Sequence, residues 1–137
     1  TKFKILAEFI KDMSSETPDV QSYLFVKDNI SKYNLTIDII SKPSKNKLIE
    51  VNTTLKFQDK EPNKKKSHFE IVYASIVKID QEIKDKKELE KIILCDVQNQ
   101  IYPNIEKAFS NLLIDSGYKG VSFKKVDFNK LYNERFN

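Results

Sequence analysis

The chain has 137 residues, 39% of them hydrophobic and 32% charged, and its 24 basic and 20 acidic side chains leave a net charge of +4. That balance is too apolar for a disordered chain and too charged for a membrane protein, and the length matches a single domain over residues 1–137 that buries roughly two thirds of its unfolded surface. No apolar run approaches the roughly 18 residues of a membrane span, and Thr1 to Ile10 lacks the unbroken apolar core of a secretion signal, so a cytoplasmic protein without membrane insertion is expected.

In chain order, Phe3, Ile5, Ala7 and Phe9 alternate with Lys2, Lys4 and Glu8, which predicts a first strand ending before Ser14-Ser15-Glu16-Thr17-Pro18. A long loop is expected next, carrying the four consecutive apolar residues Tyr23, Leu24, Phe25 and Val26. Leu35, Ile37 and Ile39 alternate with polar neighbours as a second strand, punctuated by Ser41 to Asn46. The third strand has the cleanest pattern, with Ile49, Val51, Thr53, Leu55 and Phe57 on one face and Glu50, Asn52, Thr54, Lys56 and Gln58 on a wet one. A turn over Asp59 to Lys66 leads into a fourth strand. There Phe69, Ile71, Tyr73, Val77 and Ile79 make one apolar face and Val72, Ala74 and Ile76 the other, which predicts cover on both sides.

Helices follow the strands. Lys86 to Asp96 holds Leu89, Ile92 and Ile93 at helical spacing, although Ile92 to Cys95 reads equally well as a short extended segment. Ile101-Tyr102-Pro103 opens a long helix striped by Ile101, Ile105, Ala108, Phe109, Leu112 and Leu113. Pro103 is expected in its first turn, where a missing N–H costs nothing, and Gly117 is its stop. Asp127 is an N-cap candidate for a short last helix with Phe128, Leu131 and Tyr132 inward. The fold class is therefore α+β: a four-stranded antiparallel sheet followed by a long helix and a short C-terminal helix.

Nothing in these residues composes a catalytic apparatus. Cys95 is alone in an apolar run, where a buried inert thiol is expected; His68 is the only histidine, and a zinc site would need carboxylates to complete it. Two glycines cannot build a phosphate cradle, so neither metal nor cofactor is expected and the chain reads as a binding protein, not an enzyme. Lys64-Lys65-Lys66 reads as a solvated hairpin tip, since no aromatic residue interleaves the lysines as a nucleic-acid stacking platform requires. The surplus of apolar surface predicts a homo-oligomer formed through the long helix (Ile101, Ile105, Phe109, Leu112) or an edge strand, with Tyr23 to Val26 as a binding groove.

Four segments in order carry a family resemblance. Phe9-Ile10-Lys11-Asp12-Met13-Ser14-Ser15-Glu16-Thr17-Pro18, Val97-Gln98-Asn99-Gln100-Ile101-Tyr102-Pro103, Asp115-Ser116-Gly117-Tyr118 and Val126-Asp127-Phe128-Asn129-Lys130-Leu131-Tyr132 are similar to motifs of the SecB family of protein-export chaperones. The resemblance spans nearly the whole chain. It implies a cytoplasmic homotetramer, a dimer of dimers, that holds unfolded preproteins and passes them to the SecA motor. It places SecA docking on Asp12, Glu16 and Glu70, with His68 where a leucine is usual, and client binding on Tyr23, Leu24, Phe25 and Val26. The chain departs from the family's strongly acidic character and lacks the Cys-Pro-Asn entry to the long helix. Two alternatives remain: a SecB-like chaperone dedicated to an intracellular partner such as an antitoxin, and a basic nucleic-acid-binding module.

Overall fold

A computed structural model describes residues 2–60 and 66–136. Four antiparallel strands, β1 (Phe3–Glu16), β2 (Asn34–Pro43), β3 (Leu48–Gln58) and β4 (His68–Ile79), form one sheet in the order β1-β4-β3-β2. The helices are α1 (Val20–Asn29), α2 (Lys86–Lys91), α3 (Val97–Asp115) and α4 (Phe128–Phe136). The α+β architecture expected from the sequence is the one observed. The Asp59 to Lys66 turn lies largely outside the described residues, though its last lysine, Lys66, is held by Asp59 at 2.9 Å.

One face of the sheet makes the core. Val51, Thr53, Leu55 and Phe57 of β3 and Phe69, Ile71, Tyr73 and Val77 of β4 are buried there, opposite Ile101, Ile105, Phe109 and Leu113 of α3. The four α3 residues recur every four positions, which stacks them in one stripe along the helix. A buried polar pair crosses the same interface, with Gln98 donating to the Thr53 hydroxyl at 2.9 Å. The opposite, open face carries no helix among the described residues. The cover expected on both sides of β4 is therefore half realised: Ala74 is buried, but Val72 and Ile76 are only partly so.

Strand β1 departs from simple alternation. Its register with β4 slips between Ile5 and Ala7 and again between Ile10 and Asp12, so Leu6 and Lys11 sit at bulges. Each extra residue flips everything after it to the other face. Phe3 and Ile5 join the core, whereas Ala7 and Phe9 turn to the open face and Phe9 is left 46% exposed. The strand also runs past its expected end, and Ser14, Ser15 and Glu16 pair with Glu70, Phe69 and His68.

Three further expectations are corrected. The segment over Tyr23 to Val26 is a helix, nucleated by the Asp19 carboxylate, which accepts the Ser22 amide at 2.7 Å. Ile92 to Asp96 is a π-helical turn joining α2 to α3, so Pro103 lies inside α3. The carbonyl that Pro103 leaves without an amide partner belongs to Asn99, on the exposed side of the helix. Leu131 points outward, 47% exposed, although Phe128 is buried and Asp127 caps α4 as expected, accepting the Lys130 amide at 3.0 Å.

Gly117 ends α3 as expected, with a paired set of closing bonds: its amide donates to Ile114 at 3.0 Å and the Tyr118 amide to Leu113 at 2.9 Å. Its φ is +100°, and a Cβ there would stand 2.7 Å from the Tyr23 ring, whose hydroxyl donates to the Gly117 carbonyl. On the open face Lys11 spans β4 to reach Glu50 on β3 at 2.7 Å. The Asn52 amide at 2.7 Å and Lys42 at 3.6 Å complete the cluster.

Gly117→Ala should lower the unfolding free energy in urea by about 1–3 kcal/mol, from backbone strain plus displacement of Tyr23. The hydrogen bonds from Lys11 and Asn52 hold the Glu50 carboxyl at about 2, against an ordinary 4.5. A carboxyl depressed on folding stabilises above its unfolded value and loses that contribution as pH falls through the folded one. Glu50→Gln should therefore be less stable than the parent above pH 4.5, with the gap in urea midpoint closing as pH falls toward 2.

Candidate binding groove and docking face

The helix side carries a solvent-open groove of about 1190 Å³ between the free edge of β2, the segment 119–127 and α4. Its apolar wall is made by Tyr33, Leu35, Ile37, Phe57, Val121 and Phe123. The aromatic members are locked together. Phe57 packs on Tyr33 with centroids 5.2 Å apart and meets Phe123 edge-on at 5.3 Å, and Phe123 stacks on Phe109 at 5.7 Å. Each such pair contributes roughly 0.5–1.5 kcal/mol beyond its buried area, so the wall is preformed and need not be ordered by a ligand.

The segment 119–127 has no regular structure, yet aromatic anchors fix it at both ends. Tyr118 stacks on Tyr23 at 5.1 Å and meets Phe69 edge-on at 5.5 Å, and Phe128 meets Tyr102 at 5.1 Å. Tyr33 is tied in by its hydroxyl, which donates to the Ser67 carbonyl at 2.7 Å; burial and the nearby Asp59 push that phenol up to about 12. It stays a neutral donor through the physiological range.

Four residues were expected to bind clients, and none lines this groove. Val26 is fully buried in the core, and Tyr23 is half-buried and ties α1 to the end of α3. Leu24 and Phe25 remain 53% and 44% exposed on α1, with the Lys66 ammonium 5.4 Å above the Phe25 ring. Sequence reasoning missed Val121 and Phe123; their alternation with Ser122 was the signal, in a stretch too short to weigh as a strand.

The residues expected to dock a motor do come together. Glu16 lies opposite His68 and Ser14 opposite Glu70, with Asp12 opposite Val72, so all four named side chains share the open face at one end of the sheet. His68 Nε2 stands 2.8 Å from Glu16, Glu70 is 3.6 Å from Lys56, and Asp12 has no ion pair among the described residues. His68 is half-exposed. The oligomer residues fare differently: Ile101, Ile105 and Phe109 are fully buried against the chain's own sheet, and only Leu112 is partly exposed. The three buried side chains have no surface to offer a second copy.

Cys95 is buried, its thiol pushed up by desolvation and 3.7 Å from the Phe128 carbonyl. Among the described residues no group of histidine, cysteine and carboxylates is placed to hold a metal, and no helix is long and apolar enough to cross a membrane.

Comparison with known proteins agrees with this architecture. The family model for preprotein translocase subunit SecB matches residues 1–137. A relative from Pelagibacter ubique bearing the SecB protein-export name is 62% identical, covering 98% of this chain and 97% of its own. The protein-export protein SecB of Rickettsia akari is 25% identical over 94% of this chain and 84% of its own. Among solved structures, the Mycobacterium tuberculosis SecB-like chaperone in complex with a ChAD peptide from the HigA1 antitoxin superposes with a TM-score of 0.64, covering 92% of this chain and 91% of that one at 10% identity. The chain belongs to the SecB family of protein-export chaperones.

Proposed function

We propose that this protein is a cytoplasmic holdase that keeps preproteins unfolded in the groove beside β2 and delivers them to SecA. The observation that carries the reading is a preformed aromatic wall next to an unpaired strand edge. An extended chain satisfies its backbone hydrogen bonds on such an edge while its side chains use the wall, without regard to sequence. Weak contacts repeated along an unfolded chain suffice, because binding only the unfolded state shifts the client's folding equilibrium by mass action.

The working form is a homotetramer, a dimer of dimers. Its support is β1, a free edge of the sheet on which Leu6, Phe9, Ile10 and Met13 are 44–47% exposed. A 14-residue edge with four such side chains invites pairing with another copy. The exposed side of α3, with Asn99, Gln100, Asn104 and Asn111, is a polar surface suited to a second, wetter contact. SecA docks on Asp12, Glu16 and Glu70 of the open face, where the carboxylates stand clear of the groove. A chaperone dedicated to an antitoxin rests on likeness of fold at 10% identity, whereas a SecB-named relative at 62% favours export.

A refolding assay with an unfolded precursor, read by light scattering beside native mass spectrometry, tests the reading. Substoichiometric tetramer should suppress aggregation, with a mass of four 16.0 kDa chains. Unchanged scattering and a monomer mass would overturn it. For docking, Asp12→Ala, Glu16→Ala and Glu70→Ala should each weaken a SecA pull-down and leave the scattering assay intact; undiminished pull-down in all three would sink the assignment.

A further inference from the structure

The groove is basic out of proportion to the chain. Six lysines line it, Lys32, Lys60, Lys119, Lys124, Lys125 and Lys130, against the three carboxylates Asp59, Asp127 and Glu134. That surplus of three stands against a net +4 for all 137 residues. Two of the carboxylates are already engaged, Asp59 by Lys66 at 2.9 Å and Asp127 by the α4 amide it caps. The six ammonium groups are all exposed, and none forms an ion pair among the described residues.

We propose that the groove selects extended segments whose apolar or aromatic residues are flanked by aspartate and glutamate, and disfavours segments flanked by lysine and arginine. The inference rests on the reading that this groove holds unfolded clients. One exposed lysine contributes little to binding, but several of one sign around a low-dielectric apolar wall focus the field and concentrate acidic chains there. Apolar side chains supply contact, and flanking charge supplies choice.

The test uses three labelled peptides with the same aromatic and aliphatic centre and flanks of glutamate, serine or lysine, titrated by fluorescence anisotropy against the full chain. Serine-flanked binding reports the holdase reading, and the order of the other two reports this inference. At low salt the glutamate-flanked peptide should bind about tenfold tighter than the lysine-flanked one, and the difference should shrink as salt screens the exposed charges. The triple variant Lys119→Gln/Lys124→Gln/Lys125→Gln should lose most of the preference. A control of equal charge, Lys45→Gln/Lys78→Gln/Lys84→Gln, lies outside the groove and should keep the preference. Serine-flanked binding with no charge order, a reversed order, or a preference untouched by the groove variant overturns the proposal and leaves the holdase reading standing. Binding of none of the three peptides overturns both.

Discussion

Helix α3 lies across one face of the sheet with Ile101, Ile105, Phe109 and Leu113 buried to within 1% of full cover, and the two candidate surfaces depend on that contact. Burying side chains of this size contributes on the order of 1.5–3 kcal/mol each, which anchors the helix firmly enough to support a less regular segment beyond it. Phe109 is the hinge of the arrangement. It packs on the sheet and also presents its ring to Phe123, so the groove wall is an extension of the core and not a loop laid over it. Because the helices occupy one face, the other is left flat and solvated, available to acids that would be costly inside.

Charge pairing differs between the two faces. The open face gathers Asp12, Glu16 and Glu70 at one end, while the helix face collects unpaired lysines around the groove. The open face also carries Lys11, Lys42 and Lys56, each paired with a carboxylate, so its charges are matched where those of the groove are not.

How much of this the sequence disclosed depended on whether a signal was local. The third strand was legible because period-two alternation over ten residues has one interpretation, and the Gly117 stop because a positive φ favours glycine. The bulges at Leu6 and Lys11 were not legible, since an inserted residue announces itself only through its partner strand. The face of Phe9 was consequently misassigned. Tyr23 to Val26 read as a loop because its apolar residues are contiguous, although Asp19 after Pro18 was a usable cap signal. The striped face of α3 suggested a partner, but the partner is the chain's own sheet. The groove was hidden for a different reason: residues 30–37 and 119–127 are far apart in sequence, and only the crossing of the chain brings Phe57 against Phe123.

The most direct measurement is hydrogen exchange with and without a saturating unfolded client. The account predicts slowed exchange at the outward-facing amides of β2, Asn34–Pro43, and along residues 119–127, with the open face of β1 and β4 unaffected. Protection confined to α1 or to the open face, with β2 exchanging at its free rate, would contradict it.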